Sequence, residues 1–263
     1  MDDCSTDQTL EVAKRYKDPR IKVIQKSLRG GPENLHASYN AALHIARGDL
    51  VAVLEGDDYW PPDKLALQVP FHQNDSIVLS WGGYCLRSGD RLAETGTRYN
   101  RKPLAFPDTS YLLVRNIIPA VTVVASKAAL LRIGGFWQPR GTVFVDHPTW
   151  LRLSNVGQLL YLPQILGVYR IHQNQISQVQ RDRISFQNYS YANEFMTLLN
   201  QGQMQRVDLQ EIQALRSAFS ARDSLRAGNL GMFFRQLVVA FHAARGKSIY
   251  RCLKVLVYAP DLP

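Results

Sequence analysis

The chain has 263 residues and a net charge of +9, with 46% hydrophobic and 20% charged residues, which is typical of a globular protein with a substantial core. It contains no run of the roughly 20 apolar residues that a membrane-spanning helix needs. Its cysteines, Cys4, Cys85 and Cys252, form no CxxC pair, which argues against a zinc site or a disulfide framework.

The positive charge favours a polyanionic partner, which is a nucleic acid, an anionic membrane surface or a phosphorylated substrate. The basic residues are not interleaved with aromatic residues in a recognisable nucleic-acid-binding module, so we expect no nucleic acid partner. The opening segment MDDCSTDQT is acidic and polar, unlike a signal peptide. Together with the odd number of cysteines, this segment predicts a cytoplasmic protein.

The first part of the chain alternates predicted helices and strands. The segment STDQTLEVAKRY is typical of a helix start, because its polar residues can cap free backbone amides. Alternating apolar residues predict a strand over 20–26, and a glycine-rich turn then leads to a helix over 34–47 that Gly48 ends. The apolar run 50–54 is typical of a central parallel strand that is covered on both faces.

The alternation continues further along the chain. Strands are predicted over 76–86, 119–126 and 158–172, and a helix over 127–136 that the pair Gly134-Gly135 breaks. Beyond about residue 180 the pattern is helical to the end. This order of elements predicts an α/β fold with a mainly parallel sheet and a helical C-terminal appendage.

Three carboxylates follow the run 50–54 almost at once, in the sequence DLVAVLEGDDYWPPDKL. Ligands of parallel α/β sheets bind at the carboxyl ends of strands, where Glu55, Asp57 and Asp58 stand. Neighbouring carboxylates repel each other unless a cation or water lies between them, and Mg²⁺ and Mn²⁺ prefer oxygen ligands. The open alternative to a metal site is an acidic turn that caps a helix beginning near Pro61.

Five segments, in this order, resemble those of the family 2 glycosyltransferases, which are inverting enzymes with a GT-A fold that use nucleotide sugars. They are DDCSTDQT, EGDDYWPPDKL, GGFW, VDHPTWLRL and YRIHQNQIS, and they span residues 2–177. Each motif is modest alone, but five in order at suitable spacing are fairly specific. The resemblance implies a GT-A-like (Rossmann-like) catalytic domain over 1–178 and a helical region over 179–263.

The resemblance also implies roles for residues around the nucleotide-sugar donor. Asp2 and Asp3 match the acidic pair that contacts the nucleoside, and Asn40 matches an asparagine on the helix after the glycine-rich turn. Asp57 and Asp58 match the acidic cluster that binds the metal ion, Mg²⁺ or Mn²⁺, and the donor diphosphate. Asp58 is the favoured direct metal ligand.

Further matches complete the implied site. His172 matches the histidine of a YRxH motif near the diphosphate or the metal, although an exposed histidine at a strand end is an open alternative. Asp146 matches the general base of the ED motif of the family, and Val145 replaces the Glu of that motif. Trp60 directly follows the acidic cluster and is a candidate for a donor contact, although aromatic residues at such positions also belong to cores.

These positions imply a chemistry for the site. The metal ion neutralises the negative charge of the departing nucleotide. Asp146 takes the proton from an acceptor hydroxyl on the opposite face of the sugar, which inverts the anomeric carbon. The acceptor would be a carbohydrate or a lipid-linked molecule.

The resemblance starts at the Asp pair, so the first strand, the first helix and most of the second strand of the family lack counterparts in this sequence. Two explanations are open, namely a start codon assigned too late, which we favour, and a truncated paralogue that binds ligands without catalysis. A metal-dependent nucleotidyltransferase is a further alternative, but the glycine-rich basic signature expected near its N-terminus is not visible.

The region 224–260 contains six basic residues and no acidic ones. Lys247, Arg251 and Lys254 fall on one side of a predicted helix, with its apolar residues turned largely away. This pattern is typical of a helix that lies on an anionic membrane, which predicts peripheral attachment to the inner face of the cell membrane. Helices that pack back on the catalytic domain, with solvated basic residues, are an equally open alternative.

Overall fold

The computed structural model describes residues 1–89, 91–95, 104–106, 110–173, 175–179, 191, 194–195, 209–226, 228–244, 249 and 252–253. The predicted α/β class is confirmed, because one sheet lies between two apolar layers. The described helices are α1 (Thr9–Arg15), α2 (Leu35–Ile45), α3 (Lys64–Gln68), α4 (Ser110–Val114), α5 (Lys127–Arg132), α6 (Asp146–Ser154), α7 (Ile176–Val179), α8 (Leu209–Arg226) and α9 (Leu230–Ala243).

The sheet has six described strands in the order β1-β5-β2-β6-β4, with β3 paired to β2. They are β1 (Leu50–Ala52), β2 (Ile77–Ser88), β3 (Arg91–Thr95), β4 (Leu104–Phe106), β5 (Val124–Ser126) and β6 (Gln158–Arg170). Only β2 and β6 pair in parallel among the ladders of these strands, and the other four ladders are antiparallel. The sheet is therefore mixed rather than mainly parallel, because apolar runs report burial and not strand direction.

The strand β1 also differs from the expected central, parallel strand. Among the described strands it pairs with β5 alone, in antiparallel register, at the end of the strand order. Its residues are only partly buried, although Val51 packs against the main core and Val53, just after the strand, belongs to it. The apolar run thus marks contact with the core and not a central place in the sheet.

The N-terminal segment forms less regular structure than expected. The predicted strand over 20–26 is wrong, because this segment makes only a single parallel bridge, between Asp2 and Gln25. One bridge is too short to form a ladder. The predicted helix is present as α1, where the carboxylate of Asp7 accepts the backbone N–H of Thr9 at 2.9 Å.

Both faces of β6 are covered, as the alternation of its side chains requires. Leu159 and Tyr161 face the main core, which includes Leu43 of α2 and Trp150 of α6. Leu160 and neighbouring apolar residues face a second core under α3. The sheet is thus held between two helical layers, which fixes the positions of the strand ends.

The segment before α6 contains the predicted glycine break. The expected strand over 119–126 is a 3₁₀ turn, Ala120–Thr122, followed by β5. The expected helix is present as α5, and it ends before Gly134 and Gly135, whose φ angles are 86° and 88°. Such left-handed backbone favours glycine, so the pair ends the helix as predicted.

The helices α8 and α9 share a core of their own, which Val114 of α4 also contacts. The proposed division of the chain at 178/179 stays a prediction. Lys247, Arg251 and Lys254, on which the membrane prediction was based, lie outside the described residues. Among the helices that the structure describes, none is long and apolar enough to cross a membrane.

Candidate active site

The three carboxylates after β1 converge in space. Glu55, Asp57 and Asp58 each offer an oxygen, and these oxygens all lie within 4.8 Å of one another. A turn brings them together, in which the N–H of Asp58 donates to the carbonyl of Glu55 at 3.2 Å. Tyr59 then pairs with Val168 of β6 through two backbone hydrogen bonds of 3.2 and 2.9 Å, which fixes the acidic turn beside the C-terminal half of β6.

Two of these carboxylates, Glu55 and Asp58, lie in an environment that disfavours their negative charge. Burial, with a smaller effect of the charges of Asp146, Asp58 and Asp57, raises the pKa of Glu55 to about 7, against a hydrogen bond from Tyr39. Burial likewise raises the pKa of Asp58 to about 6, opposed by the backbone N–H of Arg170. Because a cation would relieve this repulsion, the all-oxygen donor set fits a hard divalent ion such as Mg²⁺ or Mn²⁺.

The end of β6 supplies two contacts to the acidic turn. The backbone N–H of Arg170 donates to Oδ1 of Asp58 at 3.0 Å. Nε2 of His172 lies 3.1 Å from Oδ2 of Asp57, with both side chains partly exposed. The structure therefore brings Asp57, Asp58 and His172, the three predicted metal ligands, close together beside Glu55, and their role as ligands stays a prediction.

The start of the helix after the turn bears on the alternative that the acidic residues cap this helix. The helix α3 begins at Lys64, with Asp63 at its N-cap and no capping hydrogen bond from a side chain. Asp58 instead accepts its hydrogen bond from β6. Among the described contacts, Asp58 thus bonds to β6 and not to the start of α3, and the ligand site stays a prediction.

The residue Tyr39 of α2 was missed as a site residue, because its position in the apolar stripe of the helix indicates a core role. Its phenol donates to Oε1 of Glu55 at 2.7 Å, while its ring contacts Phe136 edge-on at a centroid distance of 5.0 Å. One side chain therefore belongs to both the core and the acidic turn. No spacing in the sequence indicates this contact.

The predicted base Asp146 is the first residue of α6, and it lies near enough to the acidic turn for its charge to act on residues there. Its charge raises the pKa values of both Glu55 and Tyr39. Oδ2 of Asp146 accepts a hydrogen bond from Nδ2 of Asn116 at 2.7 Å. Asn116 lies between α4 and β5, and the sequence offered no motif that would mark it.

The candidate donor residue Trp60 is fixed from two sides. Its indole N–H donates to the carbonyl of Val121 at 2.9 Å, and the ammonium of Lys64 lies 5.0 Å from its ring centroid. Lys64 is fully buried, and its ammonium also donates to the carbonyls of Thr122 and Val123 at 3.1 and 3.3 Å. This buried lysine was also missed, because lysine is ordinarily exposed.

The acidic pair near the N-terminus holds local structure. The buried carboxylate of Asp2 accepts hydrogen bonds from the backbone N–H and the hydroxyl of Ser5. The carboxylate of Asp3 accepts the backbone N–H groups of Gly30 and Gly31 at 2.9 and 2.8 Å and pairs with Lys26 at 2.7 Å. These bonds lower the pKa of Asp3 to about 2, with the hydrogen bond from Lys26 as the largest cause.

Both polar atoms of the Asn40 side chain bond to the backbone of one residue. Its Nδ2 donates to the carbonyl of Phe136 at 2.9 Å, and its Oδ1 accepts the N–H of Phe136 at 2.8 Å. Asn40 thus joins α2 to the segment after the glycine break. Its expected donor contact stays a prediction, and its described bonds are structural.

Comparisons with known proteins agree with this architecture. The family described as glycosyl transferase family 2 matches residues 1–134. TuaG of Bacillus subtilis (strain 168), named provisionally as a teichuronic acid biosynthesis glycosyltransferase, is 32% identical over 180 residues, which are 67% of this chain and 68% of TuaG. WfaP of Escherichia coli, named UDP-Glc:alpha-D-GlcNAc-diphosphoundecaprenol beta-1,3-glucosyltransferase, is 35% identical over 83 residues, 32% of each chain.

Two solved structures share the fold. TarS 1–349 of S. aureus in complex with UDP-GlcNAc superposes with a TM-score of 0.55 at 15% identity, over 92% of this chain and 81% of that one. The mannosyltransferase PcManGT of Pyrobaculum calidifontis, in complex with GDP-Man and Mn²⁺, has a TM-score of 0.56 at 16% identity, over 96% and 68% of the two chains. The fold is thus of the GT-A type, and the chain belongs to glycosyl transferase family 2.

Proposed function

We propose that this protein transfers a sugar from a nucleoside-diphosphate sugar to an acceptor hydroxyl, with inversion and with the help of Mg²⁺ or Mn²⁺. The proposal rests on the cluster of Glu55, Asp57 and Asp58 and on its closeness to Asp146, whose charge contributes to the raised pKa of Glu55. Membership of the family supports sugar transfer, and the names of TarS bound to UDP-GlcNAc and PcManGT bound to GDP-Man and Mn²⁺ support the donor class and the metal.

The donor would lie between the acidic turn and the end of β6. Asp58, Asp57 and His172 would hold the metal ion, with Glu55 as a further ligand. The ion, when bound, would neutralise the negative charge of the departing nucleoside diphosphate. Trp60 would contact the sugar or the nucleotide, and Asp2, Asp3 and Asn40 are proposed to shape the nucleoside end of the site.

The acceptor would approach Asp146. This carboxylate would accept the proton of the attacking hydroxyl, so that the oxygen attacks the anomeric carbon while the bond to the nucleotide breaks on the opposite face. Attack from the opposite face inverts that carbon. The proton ends on Asp146 and the negative charge on the nucleotide.

The experiment that tests this function follows the release of nucleoside diphosphate from UDP-GlcNAc, UDP-Glc and GDP-Man with Mn²⁺, with water as the acceptor. We expect release from at least one donor, and we expect Asp146→Asn to keep donor binding while losing roughly 10²-fold or more in turnover. Asp49→Asn, at an exposed site before β1, is the matched control. Donor binding without any release would favour the non-catalytic alternative, and release by Asp146→Asn at the normal rate would refute the base role.

A lipid-linked acceptor is the acceptor class that we favour. The name of WfaP specifies such an acceptor, which is a sugar linked to diphosphoundecaprenol. The helix α9 supports the same idea, because it exposes an apolar stripe of Leu230, Phe234, Val238 and Phe241, which are 56%, 60%, 68% and 40% exposed. The region 224–260 around the stripe carries only positive charge. We therefore propose that α9 lies on an anionic membrane surface.

Flotation with vesicles tests this contact. We expect binding to vesicles that contain phosphatidylglycerol, weaker binding to pure phosphatidylcholine, and loss of binding in Phe234→Ser/Val238→Ser. Val12→Ser, which changes an exposed valine of α1, is the control. Unchanged flotation of the double variant would reject the proposal. If the wild type is a dimer and the double variant is a monomer, the stripe is instead a contact between two copies.

A further inference from the structure

The second hydrogen bond of Asn116 fixes the orientation of its side-chain amide. Oδ1 of Asn116 accepts the backbone N–H of Ile118 at 3.2 Å. Because that oxygen faces a donor, Nδ2 must be the atom that faces Asp146, where it donates to Oδ2 at 2.7 Å. The network therefore assigns the oxygen and the nitrogen of the amide without ambiguity.

The neighbours of this contact hold both partners in place. His147, directly after Asp146, is buried, and its Nε2 lies 2.7 Å from the carbonyl of Leu112 in α4. Arg115, directly before Asn116, pairs with Asp223 of α8 at 3.1 Å. The start of α6 is thus joined to α4 by one hydrogen bond and to the segment after α4 by another, and α8 holds that segment through the ion pair of Arg115.

We infer that Asn116 is a positioning residue that holds the carboxylate of Asp146 in one orientation. This inference rests on the proposed function, in which Asp146 is the base. The hydrogen bond from Nδ2 engages one of the two carboxylate oxygens and so limits the rotation of the group. With Oδ2 engaged by Asn116, Oδ1 is the oxygen that accepts the proton of the acceptor hydroxyl.

The fixed geometry has a consequence for catalysis. A carboxylate that is free to rotate points towards the acceptor hydroxyl for only part of the time, so turnover falls while donor binding is unaffected. Asn116 contacts Asp146 and not the three carboxylates of the acidic turn in the described hydrogen bonds. Loss of the Asn116 side chain should therefore lower turnover and leave the donor KM unchanged.

The test combines NMR of the side-chain amide with kinetics. The amide signals are observed in protein labelled with ¹⁵N, and Asn116→Ala identifies those of Asn116. In Asp146→Ala we expect those signals to shift, because the amide loses its acceptor. In Asn116→Ala we expect turnover of the hydrolysed donor to fall roughly tenfold, with the donor KM unchanged.

Two variants complete the test. Asn116→Asp keeps the size of the side chain but replaces the donor with a second carboxylate against Asp146, so turnover should fall at least as far as in Asn116→Ala. Asn74→Ala, in the loop before β2, loses two hydrogen bonds from Ser76 and should leave turnover unchanged. Thermal melting checks that each variant is folded at the temperature of measurement.

The outcomes separate this inference from the proposed function. If Asp146→Asn loses turnover while Asn116→Ala keeps normal turnover, the positioning role is wrong and the base role stands. If Asp146→Asn keeps normal turnover, the base role itself is wrong. The NMR measurement requires no turnover, so amide signals of Asn116 that stay unshifted in Asp146→Ala would reject the positioning role even for a chain that hydrolyses none of the donors.

Discussion

The phenol of Tyr39 donates a hydrogen bond of 2.7 Å to the carboxylate of Glu55, and this contact joins the core face of α2 to the acidic turn. It places a proton donor on a carboxylate whose pKa burial raises to about 7. Burial therefore disfavours the charged form of Glu55, while the hydrogen bond from Tyr39 favours it. From this balance we expect the acidic turn to respond to pH near neutrality.

The first prediction concerns stability and pH in the absence of metal. A carboxyl whose pKa is raised in the folded state stabilises that state at low pH, and this contribution is lost as pH rises from about 4.5 towards 7. We therefore expect Glu55→Gln to lose less stability than the wild type between pH 5 and pH 8. The melting temperatures should diverge by about 2–4 °C or more.

The control for this prediction is Glu11→Gln, which removes the same charge from an exposed site on α1. Mn²⁺ should raise the melting temperature of the wild type more at pH 8 than at pH 5.5, because protons compete with the ion for the carboxylates. Parallel stability profiles of Glu55→Gln and the wild type would show that Glu55 does not titrate in this range.

The second prediction concerns the metal dependence of donor binding. Asp58→Ala should abolish the part of the thermal stabilisation by UDP-GlcNAc, UDP-Glc or GDP-Man that depends on Mn²⁺, because Asp58 is the favoured ligand in the acidic turn. Asp63→Ala changes an exposed aspartate at the N-cap of α3 and should leave that part intact. A normal Mn²⁺ effect in Asp58→Ala, measured in the same melting assay, would contradict the ligand role.

The third prediction concerns the buried ammonium of Lys64. Burial lowers its pKa to about 7, so the group stabilises the folded state fully only above about pH 10.5 and loses this contribution as pH falls towards 7. Lys64→Met should be less stable than the wild type by about 1–3 kcal/mol at pH 9, because the carbonyls of Thr122 and Val123 lose a donor. This difference in unfolding free energy should shrink towards pH 6.

Denaturant unfolding at the two pH values measures this effect, and Lys14→Met, at an exposed site of α1, is the matched control. A difference between Lys64→Met and the wild type that is constant with pH would mean that Lys64 stays charged when buried.

The fourth prediction compares two adjacent glycines. Both Gly134 and Gly135 have positive φ, but only at Gly135 would a Cβ overlap with another residue, at Oδ1 of Asn40. Gly135→Ala should therefore destabilise the protein by about 1–3 kcal/mol more than Gly134→Ala, because Asn40 would have to leave the backbone of Phe136. Equal unfolding free energies for the two variants would show that Asn40 moves aside without cost.

Local patterns in the sequence predicted the helices, extended segments and turns whose backbone conformation depends on residues close by in the sequence. The helix 34–47, the extended segment 158–172 and the glycine break after α5 follow from periodicity and from residues that favour left-handed backbone. The order of five motifs indicated the family, and the structure brings Asp57, Asp58 and His172 together as that order implied.

Only the tertiary structure decided which distant residues meet. The antiparallel pairing of β1 with β5 and the contacts of Asn116 with Asp146 and of Tyr39 with Glu55 join segments that are 16 or more residues apart. Periodicity reports that a side chain is buried, but not which partner it meets, because that depends on how the helices and strands pack. The sequence thus determined the acidic chemistry of the site, and packing decided which neighbours tune its charges.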